Sequence, residues 1–293
     1  MFRSIFLAFL IAITVSAQTV RQLNELATKE YKAKNYSKGI EYLMRIIPKE
    51  GNNYNLYYTI ACYYALMGEK ENAVKYLEKS ADMGYRYAES TMKDSDLESL
   101  KADEQWKDII GKMGRNKEKY EKLVNKELKR LYDEDQTDRK SKLEWKEIVK
   151  RDSTRKTSVL NEIKENRLNV SEDYLNAAMI LHHGSSLEDI QLVYKLSQRS
   201  FELNNGNVTA KWMLAGVFDR MQLKSHKPQW YGTQQILKDN VLYLDTIDST
   251  KVSDEERYDY YCKTMAENRK YIVGYNKTDK YPLIVPDSIK SKK

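Results

Sequence analysis

The chain has 293 residues, with 50 Lys and Arg against 43 Asp and Glu for a formal charge of +7, and only 11 Gly and 4 Pro. So few turn formers argue against an all-β protein, while Lys, Glu, Leu and Ala favour helix, so the predicted fold class is all-α, with length enough for two domains. Between residues 112 and 167 the 18 basic residues alternate with 12 acidic ones, the pattern of solvated helix faces and not of a nucleic-acid groove, so no nucleic-acid partner is expected.

Residues 1–17, MFRSIFLAFLIAITVSA, carry an early Arg3, an apolar stretch from Ile5 to Val15, and small residues Val15 and Ala17 where a signal peptidase would read them. This is the pattern of a secretory signal peptide, which places the mature chain in the periplasm or outside the cell, with a charge of +6 once Arg3 is removed. The apolar run is shorter than the ~20 residues that cross a bilayer, so no transmembrane span is expected. An exported chain permits a disulfide between Cys62 and Cys262, although spacing alone does not bring them together.

In residues 18–115, Leu23, Ala27, Lys34, Gly39, Tyr42, Leu43 and Ile46 recur 34 positions later as Tyr57, Ala61, Gly68, Ala73, Tyr76, Leu77 and Ser80. The period and the small residues at two fixed places resemble the tetratricopeptide repeat. The resemblance implies paired helical hairpins, with turns at AKNY and MGEK, and a protein or peptide partner on a concave face. Two units are fewer than a stable stack needs, so a cap is expected after them. DSDLESL supplies Asp and Ser caps, and Leu97, Leu100, Trp106, Ile109 and Ile110 are predicted to cover the last unit.

A second helical domain is predicted over 116–245. Tyr120, Leu123, Val124, Leu128, Leu131 and Tyr132 recur at helical spacing, as do Trp145, Ile148 and Val149. Ser171 is the predicted N-cap of a helix running to His183 and ended by Gly184, and Ser186 with Asp189 opens another through Leu203. Ala210 to Leu223 is a further helix. In 246–293, Ser253 and Glu256 form a capping box for one helix to about Val273, and YPLIVPDSIKSKK is read as extended or disordered.

All three histidines, His182, His183 and His226, fall in one 45-residue window that also holds Asp219, Arg220 and QWYGTQ. No established catalytic or zinc spacing occurs, and the sequence identifies no cofactor and no metal site. From Tyr120 to Leu237 the chain is similar to an uncharacterised bacterial domain family marked by DQxxR, a helix-ending histidine with glutamine eight residues on, DR, and QxYGTQ. Here those positions are Asp135, Gln136 and Arg139; His183 and Gln191; Asp219 and Arg220; and Gln229, Tyr231, Gly232, Thr233 and Gln234. The Trp-Pro pair of that family is missing before the histidine.

The resemblance selects His183 over His182. That family has no settled activity, so the resemblance gives positions without a reaction; the chemistry of the side chains makes His183, Asp219, Arg139 and Asp135 candidate catalytic residues of a hydrolase- or transferase-like enzyme. His183 would be general acid or base, Asp219 or Asp135 would orient it, and Arg139 or Arg220 would hold an anion. Gln136, Arg220, Gln229, Tyr231, Gly232, Thr233 and Gln234 are candidate binding residues. The same residues also suit a buried network that joins helices, with Gly232 in a tight turn over Tyr231.

Overall fold

The structure is a computed structural model that describes residues 18–286; the predicted signal peptide and residues 287–293 lie outside the described residues. Two antiparallel hairpins come first: α1 (Val20–Lys32) with α2 (Tyr36–Met44), and α3 (Tyr54–Leu66) with α4 (Lys70–Asp82). Thr19 caps α1 with a reciprocal Gln22 contact, and Asn53 caps α3 by accepting from Leu56 N–H. The small residues act as predicted. A Cβ on Gly39 would stand 2.5 Å from Tyr63 Cε2, so only Gly lets the hairpins approach here, and Ala27, Ala61 and Ala73 are buried in the core.

The segment predicted as a cap covers the last hairpin and starts in register with a third unit. It consists of α5 (Ala88–Lys93), a 3-10 turn (Ser95–Leu100) and α6 (Trp106–Leu123). The leading helices start at Val20, Tyr54 and Ala88, so the 34-residue period runs through it. Asp94 takes an extended conformation and accepts from Asp96 N–H, which breaks the leading helix and hides the repeat from a helical-spacing search. Leu97 and Leu100 are fully buried, Ile109 and Met113 join the core, and Trp106 and Ile110 pack against it. The acidic turn is tied down from two helices: Tyr58 donates to Asp94 at 2.6 Å and Tyr31 to Asp96 at 2.8 Å.

The second core belongs to α7 (Lys126–Lys140), α8 (Trp145–Lys164), α9 (Ser171–Leu181), α10 (Leu187–Leu203) and α11 (Val208–Lys224), and is built on Leu128, Val159, Ala177, Ala178, Val193 and Met213. The boundary expected at 115 falls inside α6; the chain turns instead at Val124, and Asn125 caps α7. Ser171 is the first helical residue and not the cap, because its hydroxyl donates to the Ser200 carbonyl. Asp173 does the capping work, accepting from the N–H groups of Asn125, Asn169 and Val170.

Helical periodicity also misses two features of the C-terminal part. β1 (Gln235–Lys238) and β2 (Val241–Leu244) form an antiparallel hairpin whose turn residues, Asp239 and Asn240, both have positive φ, as a two-residue type I′ turn requires. The single helix expected from Ser253 is two, α12 (Asp254–Asp259) and α13 (Met265–Asn276), separated where Tyr261 takes a φ of 57°. The tail is extended as far as it is described: Leu244 N–H donates to the Leu283 carbonyl, and Val285 N–H to that of Leu244.

The array meets the rest of the chain along one edge, through the start of each unit in turn. Arg21 N–H donates to Asp259 and its guanidinium lies 3.8 Å over the Tyr258 ring. Lys211 Nζ is buried between Glu50, at 2.8 Å, and Asp259, at 3.0 Å. Arg86 pairs with Glu172 at 2.5 Å. Cys62 and Cys262 are both buried and unpaired, and burial pushes the Cys262 thiol up to about 12. The fold is thus mostly helical with one small sheet, and no described helix is long and apolar enough to cross a membrane.

Candidate functional site

The buried residues of α7 are Leu128, Leu131, Asp135 and Asp138, so two carboxylates continue a helical stripe that begins with two leucines. Carboxylates carried inward must find cations or donors. They find them on α8, whose buried stripe includes Arg155. Arg155 places Nη1 2.6 Å from Asp138 and Nη2 2.6 Å from Asp152 and 3.7 Å from Asp135. Arg139 Nη2 lies 2.6 Å from Asp152 and 3.2 Å from Asp135, and Gln136 donates to Asp135 at 2.9 Å. Arg151 completes the set at 3.0 Å from Asp138. Three carboxylates therefore face three guanidinium groups.

His183, just past the end of α9, joins this cluster. Its Nε2 is 3.2 Å from Asp135 Oδ1, within ion-pair range but out of line for a hydrogen bond, which leaves that nitrogen without a hydrogen-bond partner. Asp135 has no exposed side-chain surface, whereas His183 is 24% exposed and forms the open side of the pair. Burial alone would push the Asp135 carboxyl up; His183, Arg139 and Arg155 outweigh it and hold it below the usual carboxylate range. His182 lies against His183 with ring centroids 3.8 Å apart and ring planes tilted by 47°, and its Nδ1 faces the Met179 carbonyl. Burial, reinforced by His183, lowers the pKa of His182 to about 4, so this ring is neutral at pH 7.

The remaining motif residues form a separate network. Asp219 on α11 is fully buried and accepts four hydrogen bonds, from the N–H groups of Trp230 (2.7 Å), Tyr231 (2.9 Å) and Thr233 (3.0 Å) and from the Thr233 hydroxyl (2.8 Å). Gln229 is equally buried: its Nε2 donates to the Gln234 and Asp245 carbonyls, and its Oε1 accepts from Gln234 N–H. Gln234 donates to the Gly216 carbonyl and the Thr233 hydroxyl. Gly232 turns with a φ of 75° and receives Asn268 on its carbonyl, while the Tyr231 hydroxyl donates to Glu256. QWYGTQ is therefore a loop clasped to α11.

This arrangement corrects two expectations. Asp219 does not orient His183, because both of its oxygens are occupied by the loop; the carboxylate beside His183 is Asp135. Arg220 links the two networks without holding an anion, since it donates to the carbonyls of His182 and Gly184 and so ties α11 to the end of α9. Arg139 is engaged with Asp152, and its Nε and Nη1 are enclosed by protein. Trp145 is not part of the core stripe predicted for it: it is 69% exposed, and the Arg139 guanidinium lies 5.9 Å from its ring. Sequence reasoning missed Asp138, Asp152 and Arg155, although Asp138 falls three residues after Asp135 on the same face. No group of three or more His, Cys, Asp or Glu among the described residues is placed to hold a metal ion.

The cluster borders open space. A groove of about 900 Å³ runs along α7 and α8 and is lined in part by Asp138, Arg151 and Arg155. A second, of about 660 Å³, lies where α1 meets α13 and is lined by Arg21, Tyr261, Lys263, Lys270, Tyr271 and Tyr275. Tyr271 and Tyr275 are 46% and 51% exposed, Lys263 Nζ sits 4.7 Å over the Tyr271 ring, and a Cβ at Gly274 would meet nothing. Glu267 also borders this groove, where its carboxylate accepts from Thr264 N–H and hydroxyl at the start of α13. No protein-family model matches the chain, and comparison with curated proteins finds no match.

Proposed function

We propose that this is an exported, peptide-binding protein in which a tetratricopeptide-like array is joined edge-on to a second helical domain. The observation that carries the reading is the tyrosine groove between α1 and α13. Two half-exposed aromatics beside cationic side chains suit a peptide surface, because tyrosine offers large contact area at low entropic cost. Lys263 and Lys270 border the groove against the single carboxylate of Glu267, with Arg21 paired to Glu25 at its edge, and the positive excess favours an acidic peptide. Of the repeat array only Arg21 lines this groove, so the reading rests on the groove and not on the concave face that the repeat resemblance implies.

Selection from a random peptide library against the full chain tests this. Acidic sequences containing an aromatic residue are expected to be enriched, to bind more weakly as salt rises, and to be lost with the double substitution Tyr271→Ser, Tyr275→Ser. No enrichment, or enrichment indifferent to that substitution, refutes the proposal. Export is tested by the mass of protein recovered outside the cytoplasm, expected to begin at Gln18; a mass that retains residues 1–17 refutes it.

A second reading, a hydrolase- or transferase-like enzyme, is favoured by His183, whose Nε2 faces the buried Asp135 at 3.2 Å while its ring is 24% exposed. His183 would accept a proton and Asp135 would stabilise the resulting imidazolium, with Asp219 holding the loop and taking no part. Purified protein should then cleave at least one member of a panel of nitrophenyl esters and phosphates, and His183→Gln should not. No cleavage across the panel removes this reading.

A further inference from the structure

The turn between α6 and α7 opens a cavity of about 330 Å³ that neither network uses, a size at the lower end of small-molecule sites. It is lined by Tyr120 and Val124 from the end of α6, Lys126 and Lys129 from the first turn of α7, and Glu172 and Asn176 from α9. Asn176 stands out among these. It is only 7% exposed and its side chain makes no hydrogen bond, although it lines a space that could supply a partner. Its amide is not enclosed by protein, so it opens onto the cavity, where it can meet a polar group of a ligand.

The charges around the cavity are unbalanced. Glu172 is neutralised by Arg86 at 2.5 Å, and Arg86 lies 3.7 Å over the Tyr120 ring, which makes that wall rigid. Lys129 is paired with Asp133. The exposed Lys126 has no side-chain partner, and it sits at the N-terminal end of a 15-residue helix, where backbone N–H groups add positive potential. Tyr120 and Val124 make the rest of the lining largely apolar.

We propose that this cavity binds a small amphipathic carboxylate. Its apolar body lies against Tyr120 and Val124, its carboxylate faces Lys126, and Asn176 supplies a hydrogen bond. The site is independent of the peptide groove, from which it shares no lining residue.

Isothermal titration of the full chain with phenylacetate, phenylacetamide and 2-phenylethylamine tests this. Phenylacetate is expected to bind saturably with one site per chain, phenylacetamide about tenfold more weakly for want of the charge-assisted contact, and the amine not at all. Lys126→Gln should weaken phenylacetate and leave phenylacetamide unchanged, and Asn176→Leu should weaken both. The groove substitutions Tyr271→Ser and Tyr275→Ser should leave phenylacetate binding intact, which separates this site from the peptide site. The proposal is overturned if phenylacetate shows no saturable binding, if the acid and amide bind alike, or if binding ignores Lys126→Gln. Because Lys126 is exposed, its variant keeps the test valid even if Asn176→Leu does not fold.

Discussion

Replacing Asp219 separates a structural role from a catalytic one. Its carboxylate receives three backbone N–H groups and a hydroxyl at 2.7 to 3.0 Å, and a hydrogen bond to a charged group contributes about 1.5–3 kcal/mol. Trp230, Tyr231 and Thr233 are only half-buried, so water relieves part of the loss, and the low end of that range over three N–H groups gives about 4 kcal/mol for Asp219→Ala. Asp219→Asn keeps one acceptor oxygen but turns an amide N–H toward the Thr233 N–H, and should cost about 2–3 kcal/mol. Either is a large share of the roughly 5–15 kcal/mol that holds a domain together. Urea unfolding followed by far-ultraviolet dichroism and tryptophan fluorescence reads the change, with Trp230 expected to leave its edge-on contact with Phe218. If Asp219→Ala stays within about 1 kcal/mol of the parent, the loop is not held by this carboxylate, and Asp219 returns as a partner for His183.

Lys211→Met should cost about 3–5 kcal/mol by stranding Glu50 in the interior, and adding Glu50→Gln should recover part of it; melting temperatures that do not respond to the second change contradict the pairing. Gly232→Ala puts a Cβ 3.1 Å from Asn268 Nδ2 at a φ of 75° and should destabilise by about 1–3 kcal/mol, measurable as a lower urea midpoint. His182 links stability to pH. An unfolded histidine takes up its proton near 6.5 and the folded one near 4. Within that window the unfolded chain holds more protons, so stability is full above pH 6.5 and falls by at most about 3 kcal/mol as pH drops to 4. His182→Asn should flatten that slope, and an unchanged slope assigns the effect to other groups.

The helical pattern and several caps could be read without a structure because they depend on residues a few positions apart. Thus Ser186 and Ser253 cap where predicted, accepting from Asp189 and Glu256 N–H. The period that pairs Ala27 with Ala61 is not local, but it is read from the chain's likeness to itself and needs no packing. It breaks at Asp94, where one extended residue replaces helix, so the closing segment keeps the register of a third unit without its helical spacing. Asp239–Asn240 was a hairpin signal at short range, hidden by a search tuned to helical spacing.

The motif residues show the limit of that reading. DQTDR, His183, FDR and QWYGTQ stand out in sequence as polar groups among apolar neighbours, which is enough to single them out but not to pair them. Whether Asp219 faces His183 or Thr233 depends on how α11 and the loop after it pack. Whether Asp135 is a surface ion or an enclosed one depends on α8 and α9 closing over it. Sequence by itself determined the helices, the 34-residue array and the polar residues that matter, since each is read along the chain and needs no packing. Tertiary structure alone decided which distant donors each buried carboxylate meets and where open cavities remain, because those partners come from segments 11 to 161 residues away, brought together only by packing.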